Sequence, residues 1–151
     1  MEWLILIVYF LIAGIIVLDQ LTKILIQRNF ALHESLGVIE NVFHITFVPN
    51  YGAAFGILKD KTFFFILTSL IVIISFLFYL KYVPKEKKIL RYALVLQIGG
   101  AVGNLIDRIR LGYVIDFLDF RVWPVFNVAD MAIVFGVGLL IYQILLIPER
   151  G

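Results

Sequence analysis

Four long apolar stretches dominate the pattern of hydrophobic and polar positions along the chain. They run over about residues 3–26, 62–80, 89–109 and 128–147. A helix that crosses a membrane needs about 20 mostly apolar residues, and each stretch has or approaches that length. We therefore predict an all-α integral membrane protein whose four helices form a single transmembrane domain over residues 1–151.

The connection between the first two apolar stretches shows a different pattern. From Leu36 to Val48 it is rich in β-branched and aromatic residues that alternate in part with polar ones, and Pro49 and Asn50 then indicate a turn. We predict a small β-rich region of one or two short strands in this loop, which covers about residues 30–58.

Composition and charge support a membrane protein and suggest its orientation. Hydrophobic residues make up 62% of the chain, against roughly 45–50% in ordinary soluble domains. The net charge is only +2, so no broad basic field indicates a nucleic-acid partner. Basic residues are densest in and around the short link after the second stretch, where they are Lys81, Lys85, Lys87, Lys88 and Arg91. Such density is typical of the cytoplasmic side, which predicts cytoplasmic termini and two outward-facing loops.

Ionisable and polar side chains near the outer ends of these spans are the candidates for chemistry. They are Asp19, Lys23, Asn104, Arg108, Asp116 and Asp130. A charged group inside a membrane span is costly and is therefore a functional hypothesis by default. With the predicted orientation, all six lie at one level near the outer leaflet.

Other hydrolytic chemistries find little support in the residue inventory. The chain has no cysteine, and its two histidines, His33 and His44, do not form a zinc-protease motif. Ser69 and Ser75 lie in an apolar helix without a base nearby in the sequence, which argues against a serine–histidine mechanism. A serine–lysine dyad stays open because Lys23 is present. We expect carboxylate chemistry with neither a metal nor a cofactor.

Two aspartates close together can divide the acid and base roles, because both cannot easily ionise at short range. Asp130 opens the fourth helix, where the helix dipole favours the ionised form. Asp116 lies in what we interpret as a loop beside the membrane. One carboxylate would deprotonate a water molecule while the other protonates the scissile group, and their assignment stays open because the proton belongs to the pair.

Five segments carry a close resemblance to a known family. They are Asp-Gln-Leu-Thr-Lys at 19–23, Asn-Tyr-Gly-Ala-Ala-Phe at 50–55, Gly-Gly-Ala-Val-Gly-Asn-Leu-Ile-Asp-Arg at 99–108, Val-Ile-Asp-Phe at 114–117 and Phe-Asn-Val-Ala-Asp at 126–130. In order and spacing they resemble the lipoprotein signal peptidases, also called signal peptidase II.

The resemblance implies an aspartyl endopeptidase of the bacterial cytoplasmic membrane that acts near the outer leaflet. Members remove the signal peptide from prolipoproteins, cutting before a cysteine that already carries diacylglycerol. By motif position, Asp116 and Asp130 match the catalytic pair. The supporting and substrate-binding positions would be Asp19, Lys23, Asn50, Gly52, Asn104, Arg108, Asn127 and Ala129. The expected partners are the lipid-modified substrate and membrane lipids, and the expected state is a monomer.

Simpler roles compete for several of these residues. Asp19 and Lys23 also fit a structural ion pair, and we interpret Asp107 as structural and Asp119 as a solvated loop residue. Gly99 and Gly103 have the spacing of close helix packing. A proton-coupled carrier or a non-catalytic scaffold are alternative functions, but a carrier needs polar groups through the full membrane depth.

Overall fold

The structure, a computed structural model, describes residues 2–52 and 61–146, with side chains from residue 6 to residue 145. Its elements in chain order are α1 (Glu2–Asn29), β1 (Ser35–Ile39), β2 (Phe43–Asn50), α2 (Thr62–Tyr82), α3 (Lys88–Leu111), β3 (Val114–Asp119) and α4 (Val128–Leu146). The part of the predicted outer loop at 53–58, which includes part of one family motif, lies outside the described residues, as does residue 147 of the predicted fourth helix.

The predicted fold class is confirmed. Each of the four helices contains a segment long and apolar enough to cross a membrane, and a small three-stranded sheet accompanies them. The prediction that Asp116 lies in a loop is wrong, because Asp116 is in the middle of β3. Two aspartates interrupt the apolar pattern of this six-residue strand, and its pairing with β2 is a tertiary contact that the local sequence does not reveal.

The third helix lies at the centre of the bundle and contacts each of the other three. In its apolar segment 67% of the residues are buried within the protein, against 22% or less in the other three helices. α1, α2 and α4 therefore present most of their apolar surface outward, as expected where lipid is the solvent. The central helix is also the least hydropathic of the four, because its neighbours shield its polar residues from the bilayer.

Glycines on α3 allow its neighbours to approach closely. A Cβ added at Gly99 would lie 2.9 Å from Cβ of Ile15, and one at Gly103 would lie 2.5 Å from Oδ2 of Asp19. The packing interpretation of this glycine pair is therefore confirmed. Close approach of helix backbones through small residues is the usual basis of helix association in membranes.

The sheet is antiparallel in the order β1-β2-β3, with β2 in the centre. After β3 the chain turns through Arg121, whose φ is 64°, and comes back so that Phe126 bridges to Leu118. The backbone N–H of Leu118 donates to the carbonyl oxygen of Phe126 at 2.8 Å, and the reverse bond is 3.1 Å. This return connection brings the start of α4 beside β3.

Two apolar clusters fill the interior, one at each end of the bundle. At the sheet end, Ile26 of α1 packs with Phe47, Ile115 and Phe117 of the sheet. The cluster at the opposite end is formed by Val8, Ile12, Leu80, Val83, Leu90, Leu94, Val95 and Ile98. Buried polar side chains of α1 and α3, described below, lie between the two clusters.

We expect cysteines at the two ends of the bundle to react from opposite sides of the membrane. The native chain lacks cysteine, so Lys87→Cys, in the link between α2 and α3, and Leu36→Cys, on the exposed face of β1, each give a single reactive thiol. In intact cells an impermeant maleimide should label position 36 only, and position 87 should react only after the cytoplasmic side is opened. Labelling of position 87 from outside would contradict the predicted orientation.

Candidate active site

Asp116 and Asp130 line the same cavity at the sheet end of the bundle. The cavity has a volume of about 810 Å³ and lies between α2, α3 and α4. Its polar lining includes Asn50, Asn104 and Arg108 together with the two aspartates. The rest of the lining is mainly apolar or aromatic and includes Phe65, Val72, Ala101, Ile133, Val134 and Phe135. A volume of this size is typical of small-molecule sites.

Two asparagine side chains hold the carboxylate of Asp116. Asn50 donates from Nδ2 to Oδ2 at 2.8 Å, and Asn127 donates from Nδ2 to Oδ1 at 2.7 Å. Asn50 is itself fixed, because its Oδ1 accepts the backbone N–H of Gly52 at 3.0 Å. Asp116 is 2% exposed, so the two amides replace water as its hydrogen-bond donors.

The start of α4 holds Asp130 through reciprocal capping bonds. Oδ1 of Asn127 accepts the backbone N–H of Asp130 at 2.9 Å, and Oδ2 of Asp130 accepts the backbone N–H of Asn127 at 3.2 Å. This is the geometry of a capping box, with aspartate in place of the usual glutamate. The predicted position of Asp130 at the start of the fourth helix is therefore confirmed, but helix capping does not account for the hydrogen bond that its other oxygen accepts from Asn104.

Asn104 and Asn127 link the two aspartates through a chain of amides. Nδ2 of Asn104 donates to Oδ1 of Asp130 at 2.7 Å, and Oδ1 of Asn104 accepts from Nδ2 of Asn127 at 3.2 Å. Because Asn127 also donates to Asp116, every oxygen of the two carboxylates accepts a hydrogen bond. The relative orientation of the pair is thus fixed by side chains from three different segments.

The environment of Asp116 favours its protonated form. Burial raises the pKa of Asp116 to about 7, and the charge of Asp130 adds to the effect, while the hydrogen bonds from Asn50 and Asn127 oppose it. Desolvation and a neighbouring like charge both disfavour ionisation. A pair that retains one proton near neutral pH can act as acid and base at the same time.

Lys23 is buried near the aspartate pair, and its ammonium group has three hydrogen-bonding partners. It is 1% exposed, and its Nζ lies 2.9 Å from Oδ2 of Asp19, 2.8 Å from Oδ2 of Asp107 and 3.0 Å from Oδ1 of Asn104. A lysine ammonium has three donors, and these contacts occupy all three. Such complete pairing is what makes a buried charge tolerable.

Arg108 lies at the edge of the cavity beside the aromatic side chain of Phe65. Its guanidinium carbon is 5.0 Å from the centroid of the Phe65 ring, within the range of a cation–π contact. Its nitrogens make long contacts with the carbonyl oxygens of Asn104 at 3.5 Å and Gly52 at 3.4 Å. These weak bonds leave the guanidinium able to donate to a ligand in the cavity.

All the predicted site residues thus occur in one connected region, including Ala129, whose backbone N–H donates to Oδ1 of Asp19 at 2.9 Å. Sequence reasoning missed Gln20. Its Nε2 donates to Oδ2 of Asp19 at 3.2 Å and to Oδ1 of Asp107 at 3.0 Å. The available signal was an uncharged polar side chain next to Asp19 within an apolar helix.

The interpretation of Asp119 as a solvated residue is wrong. It is 6% exposed and accepts hydrogen bonds from the hydroxyl of Thr46 at 2.9 Å and the backbone N–H of Arg121 at 2.8 Å. Nearby, the hydroxyl of Ser35 lies 3.2 Å from Nδ1 of His44. Because Asp119 bonds Thr46 rather than the histidine, these residues do not form a serine–histidine–aspartate triad.

The residues that the structure describes include no group of three or more His, Cys, Asp or Glu side chains suited to holding a metal ion. All four oxygens of the aspartate pair accept from amide groups instead. The hydrogen-bond donors around both carboxylates are therefore N–H groups of the protein.

Comparisons with known proteins agree on one family. Residues 11–146 match the family model described as signal peptidase (SPase) II. A lipoprotein signal peptidase of Moorella thermoacetica is 54% identical over 139 residues, which cover 91% of this chain and 93% of the relative. One from Brevibacillus brevis is 48% identical over 146 residues, covering 95% and 98%.

Solved structures agree with the sequence matches. One described as a bacterial membrane enzyme, determined by the in meso method at 2.3 Å resolution, superimposes with a TM-score of 0.84 at 30% identity, covering 95% of this chain and 93% of the other. A second, at 1.9 Å resolution, gives a TM-score of 0.82 at 31% identity and covers 93% and 94%.

We expect Asp116 to make the stability of the protein depend on pH near neutrality. Its pKa is about 7 in the folded protein against an ordinary 3.8, so the folded state holds the proton more tightly than the unfolded chain. The stabilisation is complete below the ordinary pKa and is lost as pH rises through about 7. Between about pH 5 and pH 8, the unfolding temperature in detergent should fall more for the wild type than for Asp116→Asn.

Asp119→Asn is the matched control for this measurement, since it removes a buried aspartate of the same strand and leaves Asp116 in place. It should keep the wild-type loss of stability between about pH 5 and pH 8. Equal pH dependence in the wild type and Asp116→Asn would show that Asp116 does not titrate in this range.

Proposed function

Since the chain belongs to the signal peptidase II family, a family of peptidases that remove signal peptides from prolipoproteins, we propose that it is an aspartic endopeptidase that uses Asp116 and Asp130 to cleave diacylglyceryl-modified prolipoproteins. The observation that carries this proposal is the shared cavity, in which both carboxylates lie at the polar end and each of their oxygens is hydrogen-bonded.

The pair supplies both proton transfers that peptide hydrolysis requires. One carboxylate, ionised, takes a proton from water as the water oxygen attacks the scissile carbonyl carbon. The other carboxyl, protonated, donates its proton to the carbonyl oxygen. As the C–N bond breaks, the carboxyl that took the proton from water gives it to the leaving amine, and the other carboxylate takes back a proton from a hydroxyl of the intermediate, so that the C=O of the new carboxyl group forms. The raised pKa of Asp116 supports a resting pair with one proton, and that proton belongs to the pair. This mechanism needs no metal or cofactor.

The apolar part of the cavity suits the lipid part of such a substrate. Val72 of α2 and Ile133, Val134 and Phe135 of α4 are part of the apolar lining of the cavity. Burying a lipid chain stabilises binding by about 0.8 kcal/mol per methylene. We propose that the diacylglyceryl chains lie between α2 and α4, where they would hold the adjacent peptide bond at the carboxyl pair.

Arg108 is the best-placed group to bind the peptide near the cut. Its guanidinium lines the cavity with the two aspartates, and its hydrogen bonds to Asn104 and Gly52, among the described residues, are long. We assign it to a substrate carbonyl oxygen, with Asn50 and Asn104 holding the carboxylates in place.

The proposed location follows from the same arrangement. The enzyme would act as a monomer in the bacterial cytoplasmic membrane with both termini inside, so that the sheet end and its carboxyl pair lie at the outer leaflet. A carrier function is disfavoured because the apolar cluster that includes Ile12, Leu94 and Ile98 fills the opposite half of the bundle.

We expect Asp116→Asn and Asp130→Asn each to abolish cleavage. An asparagine matches the size of the aspartate but can neither accept a proton from water nor return one. Loss of general acid–base catalysis typically costs 10²–10⁴-fold in rate, so kcat should fall by roughly three orders of magnitude. Rates are measured on a purified diacylglyceryl-modified prolipoprotein, with products identified by mass.

Asp119→Asn serves as the control, because it alters a buried aspartate of β3 that does not line the cavity. It should retain cleavage per folded molecule. Near-normal turnover by either Asp116→Asn or Asp130→Asn would contradict the two-aspartate mechanism.

We expect the enzyme to require the lipid on its substrate. The diacylglyceryl-modified prolipoprotein should be shortened to begin at the modified cysteine, whereas the same prolipoprotein without lipid should be cut at least about 100-fold more slowly, since it loses the binding energy of the buried methylenes. Val134→Asp, which places a charge in the apolar lining, should weaken binding of the modified form only. Equal cleavage of both forms would disprove the proposed lipid site.

A further inference from the structure

Two non-catalytic carboxylates make equivalent contacts on either side of the aspartate pair. Oδ1 of Asp19 accepts the backbone N–H of Ala129, at 2.9 Å. Oδ2 of Asp107 accepts the backbone N–H of Ile115, at 3.1 Å. Ala129 immediately precedes Asp130 and Ile115 immediately precedes Asp116, so each carboxylate holds the main chain next to one member of the pair.

One ammonium group joins these two carboxylates. Nζ of Lys23 lies 2.9 Å from Asp19 and 2.8 Å from Asp107, and its third contact is with Oδ1 of Asn104, at 3.0 Å. Gln20 bridges the same two carboxylates with its amide nitrogen. Charge-assisted bonds of this kind are about twice as strong as neutral ones.

The contact with Asn104 also determines which way its amide group faces. Because Oδ1 of Asn104 accepts from Lys23 and from Asn127, its Nδ2 is directed at Asp130, to which it donates at 2.7 Å. An amide turned the other way would place two donors against the ammonium and an oxygen against a carboxylate.

We propose that Lys23, Asp19 and Asp107 form a clamp that sets the distance and orientation between Asp116 and Asp130, which makes Asp107 a positioning residue for the reaction. The inference rests on the proposed function of the aspartate pair. β3 and α4 are separate segments. The buried ammonium of Lys23, on α1, connects them because it pairs with Asp107, which holds the β3 backbone, and with Asp19, which holds the α4 backbone. Removing Asp107 frees the Ile115 end of the clamp, while Asp130 stays held by Asp19 and by its capping box.

The surroundings of the clamp leave it little freedom. Oδ2 of Asp19 packs against Gly103 of α3, where even a Cβ would lie 2.5 Å away. Asp19, Lys23 and Asp107 are each at most 1% exposed. Interiors packed this closely do not deform continuously, so the clamp transmits its geometry to the backbone at both aspartates.

The test compares Asp107→Ala with Asp107→Asn and with Asp119→Ala. Asp107→Ala removes the acceptor for the N–H of Ile115, and a displacement of about 1 Å in an active site can cost on the order of 100-fold in rate. We expect a loss in kcat of that order with KM unchanged. Asp107→Asn keeps an acceptor oxygen and should recover most of the rate. Asp119→Ala loses another buried aspartate, on β3, that also accepts a backbone N–H, and should keep the wild-type kcat per folded molecule.

A second readout does not depend on cleavage. The charged groups that interact with Asp116 are Lys23 on α1, Arg108 on α3 and Asp130 on α4, and Lys23 is in turn paired with Asp19 and Asp107. The unfolding temperature stops falling at the pH that matches the pKa of Asp116 in the folded protein. This pH should shift in Asp107→Ala and remain at the wild-type position in Asp119→Ala. If the wild type fails to cleave prolipoprotein, the proposed function is contradicted. The pH dependence of the unfolding temperature needs no cleavage, so it tests the clamp separately from the proposed function.

Gln20→Met provides a variant with every charge intact, in case Asp107→Ala does not fold. Gln20 is half-buried. Its replacement removes the neutral bridge between Asp19 and Asp107, together with the bonds of its side chain to the carbonyl oxygen of Gly103 and to Arg110. We expect a smaller loss in kcat with KM unchanged. The clamp is disproved if folded Asp107→Ala has the wild-type kcat, if Asp107→Asn is no better than Asp107→Ala, or if Asp107→Ala does not fold while Gln20→Met keeps the wild-type kcat.

Discussion

A buried ammonium group lies at the centre of this structure, and the surrounding architecture can be understood as the means of keeping it paired. Lys23 is 1% exposed and contacts two carboxylates and one amide oxygen. Without water to solvate it, each of its donors requires a partner, and breaking one such pairing is typically destabilising by about 3–5 kcal/mol. The partners come from α1 and α3, so the charge fixes how these two helices pack.

The same network determines where polar groups are tolerated in an otherwise apolar protein. α3 carries most of them and is the helix that its neighbours shield from lipid. The glycines that bring α1 close to α3 also bring Asp19 within reach of α4, where it accepts the N–H of Ala129. Small residues, close packing and buried charge are therefore parts of one arrangement.

Local helix capping and the proposed chemistry use the same atoms at the start of α4. Asn127 and Asp130 satisfy each other's backbone N–H groups, which would otherwise lack partners at a helix terminus. The remaining oxygen of Asp130 and the amide nitrogen of Asn127 face the network that leads to Asp116. A helix N-terminus can thus present a carboxylate to a cavity while holding it rigidly.

The sequence alone determined the fold class, because a stretch of about 20 apolar residues has few stable alternatives to a membrane-spanning helix. It also identified the aspartates and their polar neighbours, since charged groups in such spans stand out. It did not reveal β3 or the burial of Asp119, because strand pairing with β2 is a long-range contact without a local pattern. The roles of Gln20 and Asp107 likewise came only from the tertiary structure. Hydrogen-bond geometry between α1, α3, β3 and α4 depends on packing, and packing brings together residues that lie far apart in the chain.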